Sequence, residues 1–164
     1  MILKYSETQS GLAFVGNGAT EMHIEPITEL DQIVSLLAAN GLPVSDISHD
    51  YCPLFFGIQS DSCIKAVIGL ELFGSVGLIR SLAVSKACRG QSFGRHLVDF
   101  AEYYAAEHGI EILFLLTTTA TVFFHQLGYE QVERSDVPRD IRTTSQFSSL
   151  CPASSAVLCK RVVG

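Results

Sequence analysis

The sequence has 164 residues, of which 48% are hydrophobic, and its formal net charge is −6. This length is enough to bury one sizeable core but short for two ordinary domains, so one principal domain is predicted. The acidic balance and the lack of a Lys/Arg cluster argue against a nucleic-acid partner, and no apolar run approaches the roughly 20 residues of a membrane-spanning helix, so no membrane partner is expected.

The first 20 residues contain Gly11, Gly16 and Gly18 among polar residues, with only brief apolar patches. This composition predicts an irregular N-terminal extension over residues 1–20, followed by the domain proper over residues 21–164. The opening residues are polar where a secretion signal would have its apolar core, so a cytoplasmic location is expected.

The next part of the chain predicts a strand, a helix and three more strands. Met22–Ile27 alternates as a half-buried strand does, and apolar residues then recur at helical spacing until Asn40-Gly41 ends the helix. Three runs rich in Ile, Val, Leu and Phe follow over residues 52–59, 63–73 and 76–84. Their tight connections predict an antiparallel meander.

The second half of the chain alternates helices and strands. An amphipathic pattern from Phe93 to His108 predicts a long helix, and Ile112–Thr117 is typical of a buried parallel strand. A short helix over residues 121–127 and strands over 129–133 and 156–162 complete the pattern. The prediction is a mixed α/β (α+β) fold with a central sheet of six to seven strands. The sheet is antiparallel in its first half and parallel at strands 4 and 5, with helices on both faces.

The junction between the fourth strand and the long helix carries a glycine-containing loop, Arg89-Gly90-Gln91-Ser92-Phe93-Gly94-Arg95. Glycines let the backbone approach a diphosphate closely, and the first turn of a helix presents unpaired N–H donors. Arg89 and Arg95 add charge-assisted donors. The alternative is an ordinary strand-to-helix turn.

These residues resemble the pyrophosphate loop of the GNAT acetyltransferases, Arg/Gln-x-x-Gly-x-Gly/Ala after a strand ending in Leu-Ala-Val. Arg89, Ser92 and Gly94 occupy the motif positions, with Ser92 in place of the usual central glycine. The resemblance implies acetyl coenzyme A as cosubstrate, with its pantetheine arm between the strand ending Leu82-Ala83-Val84 and the strand Ile112–Thr117. The expected cofactor-binding residues are Leu82, Ala83, Val84, Arg89, Gly90, Gln91, Ser92, Phe93, Gly94, Arg95, Thr118 and Phe124.

A second motif, Phe123-Phe124-His125-Gln126-Leu127-Gly128-Tyr129, is similar to the family's Phe-Tyr-x-x-Leu-Gly-Phe. Phe124 stands where many members carry a Tyr thought to protonate the departing thiolate, so that role is vacant. Other segments resemble a subgroup of arsenic-resistance N-acetyltransferases. That resemblance implies a small-molecule amine as acceptor, such as an organoarsenical or a phosphinothricin-like amino acid.

The family resemblance also implies direct attack of the amine on the thioester, with a backbone N–H near Leu82 as oxyanion donor. Glu71 is the candidate base because it lies in an otherwise apolar strand, although a solvent-facing Glu in normal alternation fits equally. Arg80 and Arg142 are candidates for gripping a substrate anion, and Thr119 offers a hydroxyl near the expected cleft.

The five cysteines are widely spaced without a C-x-x-C pair, so neither a disulfide framework nor a metal site is predicted. Two alternatives remain open at this point: a catalytically weak module that only binds acyl coenzyme A, and a thiol-based metalloid-binding protein. The family resemblance implies a homodimer as the expected oligomeric state.

Overall fold

The computed structural model describes residues 5–8, 11–15 and 21–163, with side chains from residue 22 onward. The strands are β1 (Tyr5–Thr8), β2 (Gly11–Val15), β3 (Glu21–Pro26), β4 (Leu54–Ser60), β5 (Cys63–Phe73), β6 (Val76–Val84), β7 (Ile112–Thr117), β8 (Glu130–Val132) and β9 (Ala156–Arg161). The α-helices are α1 (Leu30–Ala39), α2 (Phe93–Glu107), α3 (Thr121–Gln126) and α4 (Arg139–Arg142).

The strands form a mixed sheet in the order β1-β2-β3-β4-β5-β6-β7-β9-β8. β6 and β7 run parallel, with Val76–Leu78 opposite Ile112–Phe114. β9 pairs antiparallel with both β7 and β8, and β1 to β4 pair antiparallel in succession. The predicted mixed α/β fold is therefore confirmed, including the parallel pairing of the fourth and fifth predicted strands. The described sheet has nine strands rather than the predicted six to seven, because β1 and β2 extend it.

The N-terminal segment differs from the prediction of an irregular extension. β1 pairs with β2, and β2 continues onto β3 with Ala13 opposite His23. The prediction was wrong for these two strands because backbone pairing with a neighbour, which leaves no local signature in a glycine-rich sequence, supplies their hydrogen bonds. Residues 1–4, 9–10 and 16–20 of the predicted extension lie outside the described residues. The domain boundary at residue 21 stays a prediction.

The chain divides into two compact units. Unit 1 contains the described residues up to Gly69 together with Ser81–Leu97, and unit 2 contains Leu70–Arg80 and the chain from Val98 onward. β5, β6 and α2 each contribute residues to both units. Each unit has a hydrophobic core of its own.

In unit 1, α1 buries Ile33 and Leu37 completely, and both pack with Phe55 of β4 and Val67 of β5. Gly57 of β4 is required by close packing, because a Cβ there would lie 2.6 Å from the backbone oxygen of Ala66 and 2.9 Å from a side-chain carbon of Ile27. α1, β4 and β5 therefore pack closely against one another in unit 1.

In unit 2, the core centres on Leu78 of β6, Phe114 of β7 and Val157 of β9. Ile141, which is completely buried, brings α4 onto this cluster. The polar excursion between β8 and β9 is therefore anchored by an apolar contact, although most of its sequence is hydrophilic.

Candidate functional site

The loop that follows β6 is held at its start by the backbone. The N–H of Ser85 donates to the carbonyl of Lys65 over 2.8 Å, and a short 3-10 turn over Lys86–Cys88 follows. The predicted phosphate-binding residues then run without interruption from Arg89 into the first turn of α2. This part of the candidate site lies entirely within unit 1.

Two residues of this loop take left-handed backbone angles: Gly90 has a φ of 79° and Ser92 a φ of 62°. No atom of the described residues lies within 4 Å of the position that a Cβ on Gly90 would take. Ser92 accepts the first backbone bond of α2, from the N–H of His96 over 3.1 Å. The loop is thus open beside Gly90, just before the helix start, and the N–H groups of the first turn have no partner within α2 itself.

The two arginines of the loop differ in their surroundings. Arg89 is exposed, and its Nη2 donates to Oδ1 of Asn40 over 2.7 Å. Arg95 is exposed in the first turn of α2, whereas Phe93 and Gly94 are partly buried. Gln91 and Ser92, which precede the helix, are exposed as well. Both guanidinium groups therefore lie at a solvent-accessible surface next to the open helix start.

Near the carboxyl end of β6, the backbone departs from the extended conformation at Ser81, which has a φ of 55°. Such an angle is uncommon for a residue with a side chain and costs about 1 kcal/mol or more. Beyond it, Ala83 packs into the core of unit 1, while the neighbouring Leu82 and Val84 are half-buried. The sequence reasoning missed this feature, because Ser81 carries no signal that would separate it from an ordinary strand residue.

In unit 2, the structure brings together two predicted residues, Glu71 and Arg80. Nη1 of Arg80 lies 3.4 Å from Oε2 of Glu71, and only 5% of the Glu71 side chain and 1% of the Arg80 side chain are exposed. The interpretation of Glu71 as a solvent-facing residue is therefore wrong. A carboxylate and a guanidinium buried together must offset their loss of hydration largely through their mutual attraction and hydrogen bonds.

The remaining predicted contacts of unit 2 are at its surface. Thr118 and Thr119 are exposed after β7, and the hydroxyl oxygen of Thr117 accepts from the backbone N–H of Ala120 over 2.9 Å. Arg142 is exposed at the end of α4. Thr118, Thr119 and Arg142 are thus at the surface, in contrast to the buried Glu71–Arg80 pair.

Phe124 is 5% exposed and belongs to the interior of unit 2. Its ring contacts Phe123 and Tyr129 edge-on, with centroid distances of 5.0 and 5.5 Å. Phe123, the first residue of the second motif, is only partly buried. Phe124 thus has a packing function, and its expected contact with the cofactor stays a prediction.

A second group of ionisable side chains in unit 2 was not anticipated. Nζ of Lys160 lies 2.9 Å from both carboxylate oxygens of Glu102 and 5.6 Å from the ring centroid of Tyr129. Burial raises the pKa of Glu102, and the attraction of Lys160 opposes that rise. Burial and the neighbouring Glu102 raise the pKa of Tyr129 as well, so its phenol stays protonated. The contact joins residues 58 positions apart, which explains why sequence spacing did not reveal it.

The cysteines are all free thiols in the structure; Cys52 and Cys63 are exposed and the others partly buried. Among the described residues, no group of three or more His, Cys, Asp or Glu side chains is placed to hold a metal ion. In the part of the chain that the structure describes, no helix is long and apolar enough to span a bilayer.

Comparison with known proteins gives matches at the level of sequence and of fold. The acetyltransferase (GNAT) family matches residues 22–129. An uncharacterized N-acetyltransferase of Chlorobaculum tepidum is 40% identical over 63 residues, which cover 38% of this chain and 40% of that protein. The chain thus spans less than half the length of this relative.

Solved structures share the fold. N-acetylglutamate synthase from Neisseria gonorrhoeae, complexed with coenzyme A and N-acetyl-glutamate, gives a TM-score of 0.75 at 20% identity, covering 90% of this chain and 36% of that chain. A GNAT-family acetyltransferase from Staphylococcus aureus gives a TM-score of 0.65 at 17% identity, covering 87% of this chain and 99% of that chain. The family match covers the chain from β3 to β7, the open loop and the second motif, and from it we conclude that the chain belongs to the GNAT acetyltransferase family.

Proposed function

We propose that this protein is an N-acetyltransferase that passes the acetyl group of acetyl coenzyme A to the primary amine of a small molecule. The observation that carries the proposal is the open loop at the start of α2, in which Gly90 and Ser92 take left-handed angles beside the exposed Arg89 and Arg95. Backbone N–H groups and guanidinium groups together suit a diphosphate. Family membership supports coenzyme A as the molecule that carries it.

In the proposed reaction, the amine nitrogen attacks the thioester carbonyl carbon and forms a tetrahedral intermediate. The C–S bond then breaks, the amide forms and coenzyme A leaves as a thiolate. We assign the backbone N–H of Leu82 to the developing oxyanion, as the family resemblance implies. A Cys-like thiol has a pKa of about 8.5, so the thiolate can take its proton from water without a dedicated acid at Phe124.

The amine must lose a proton before or during its attack. An alkyl amine has a pKa of about 10, so only about one molecule in a thousand is neutral at pH 7. We assign Glu71 as the base that receives this proton, directly or through a water. Its burial against Arg80 supports a fixed position for the carboxylate. The same contact leads us to assign Arg80 chiefly to holding Glu71, since 1% exposure of its side chain leaves little surface for a substrate anion.

For the acceptor, we propose an amine that also carries an anion, such as a phosphinothricin-like amino acid or an amine-bearing organoarsenical. Arg142 is exposed and is our candidate for the anion, with Thr119 as a further polar contact. Support comes from the similarity of fold to a synthase that holds N-acetyl-glutamate, an acetylated amino acid. We place the reaction in the cytoplasm, where free thiols persist, and expect a homodimer.

The test combines titration calorimetry of the protein with acetyl coenzyme A and an assay for released thiol over a panel of amines. The panel includes amino acids, amino-acid phosphinates and amino-acid arsinates. Binding followed by thiol release with at least one amine is expected. Binding without release on any amine would indicate an acyl-coenzyme-A-binding module, and no binding would refute the proposed function.

A further inference from the structure

Asn40 makes an unanticipated contact with the cofactor loop. Its Oδ1 accepts from Nη2 of Arg89 over 2.7 Å, and its Nδ2 donates to the carbonyl of Leu36 over 2.8 Å. Both ends of the amide are thereby used, which fixes its orientation. Asn40 and Arg89 are 49 residues apart and both belong to unit 1.

The end of α1 does not depend on this side chain for its backbone bonds. The N–H groups of Gly41 and Leu42 donate to the carbonyls of Ala38 and Leu37, each over 3.0 Å, and Gly41 has a φ of 69°. These bonds close the helix through the main chain. The Asn40 amide is half-buried and its oxygen accepts from Arg89, a contact that closing the helix does not require.

Arg89 itself is a long, exposed side chain, and such a side chain loses considerable rotamer freedom when a ligand holds it. A neutral amide oxygen at 2.7 Å reduces that freedom in advance without neutralising the guanidinium, as a carboxylate would. The remaining N–H donors of the planar fork stay available for phosphate oxygens.

We propose that Asn40 is a positioning residue that holds the Arg89 guanidinium ready for the diphosphate of coenzyme A. This inference rests on the proposed function of the loop. It also links the end of α1 to cofactor binding.

The experiment is a double-mutant cycle for coenzyme A binding, measured by titration calorimetry on wild type, Asn40→Ala, Arg89→Ala and the double variant. Asn40→Ala is expected to weaken binding by about three- to tenfold when Arg89 is present and to have no effect when Arg89 is absent. Asn40→Asp keeps an acceptor for Arg89 but neutralises the guanidinium and places a negative charge beside the diphosphate, so it should weaken binding more than Asn40→Ala does. A purely structural contribution would weaken both variants alike.

Ser35→Ala is the matched control, since it removes a 2.7 Å side-chain bond to the carbonyl of Asp31 within α1 and leaves the Arg89 contact intact. It should leave coenzyme A affinity unchanged. Equal effects of Asn40→Ala with and without Arg89 would overturn the positioning inference, and tighter binding by Asn40→Ala would show instead that Asn40 competes with the ligand. A wild-type protein that fails to bind coenzyme A would refute the proposed function as well.

Discussion

Replacing Glu71 by Gln tests the buried ion pair and the assigned base in one series. The carboxylate faces the Arg80 guanidinium at 3.4 Å with almost no exposure of either side chain. Removing one partner of a buried pair costs about 3–5 kcal/mol. Because 3.4 Å is longer than the roughly 2.7–2.9 Å of a strong charge-assisted bond, we expect the lower end, about 3 kcal/mol. For a chain of this size, that corresponds to a fall in melting temperature of about 6–12 °C.

The assay is urea unfolding together with acetyl transfer, for Glu71→Gln, Arg80→Met and the double variant Glu71→Leu/Arg80→Met. The double variant should recover most of the lost stability, because no unpaired charge remains buried. It should not recover activity, since the base is absent; a loss of about 10²–10⁴-fold in turnover is expected wherever Glu71 is changed. Stability and catalysis are thereby separated.

A surface pair of similar length supplies the control. Arg161 lies 3.5 Å from Glu111, with 62% and 55% of their side chains exposed. Glu111→Gln should change the free energy of unfolding by no more than about 0.5 kcal/mol. A double variant of the buried pair as unstable as Glu71→Gln would refute the ion-pair reasoning, and unchanged turnover in Glu71→Gln at full folding would remove Glu71 as the base.

Two further predictions concern the loop and the second ionic group. Ser92→Gly should raise the free energy of unfolding by up to about 1 kcal/mol, because relief of the left-handed angle outweighs the added freedom of the unfolded chain. Gly90→Ala should lower the free energy of unfolding by about 1–2 kcal/mol, because it places a side chain at a left-handed angle. Urea unfolding checks both, and changes of the same sign would contradict the assigned angles. Burial raises the folded-state pKa of Glu102 above its ordinary 4.5, so the folded protein binds the proton of this carboxyl more tightly than the unfolded chain does. The stabilisation that results is complete below pH 4.5 and is lost as the pH rises through the raised pKa. Unfolding measured across that range should therefore show wild type losing stability relative to Glu102→Gln, and parallel curves would contradict the reasoning.

The regular elements from residue 21 onward followed closely from periodicity. The alternation in β3 and the helical spacing in α1 and α2 are strong local signals, since each face of such an element meets a different environment. β1 and β2 escaped notice because they are short, with four and five residues, and because they depend on pairing with each other and of β2 with β3. Tyr129 was placed in a motif, but its burial beside Glu102 and Lys160 had no local signal.

The candidate site shows the same division. Arg89, Gly90 and Ser92 are consecutive or nearly so, and the chemistry of a phosphate loop depends on local backbone, so the motif alone was enough to make them candidates. Their contact with a diphosphate stays a prediction. The contact of Asn40 with Arg89 joins two distant segments, and no spacing rule could have paired them.

The order of residues was sufficient for the family, the strand and helix pattern from residue 21 onward and the loop at the start of α2, because the motifs and periodicities that indicate them are local in the chain. Folding decided which charged groups are buried and which partners they have. Glu71 was equally compatible with the surface and the interior until the hairpin of β5 and β6 brought Arg80 against it. Burial and ion pairing depend on segments that come together only in the folded protein. The environments of Glu71, Arg80 and Asn40 are set by such contacts.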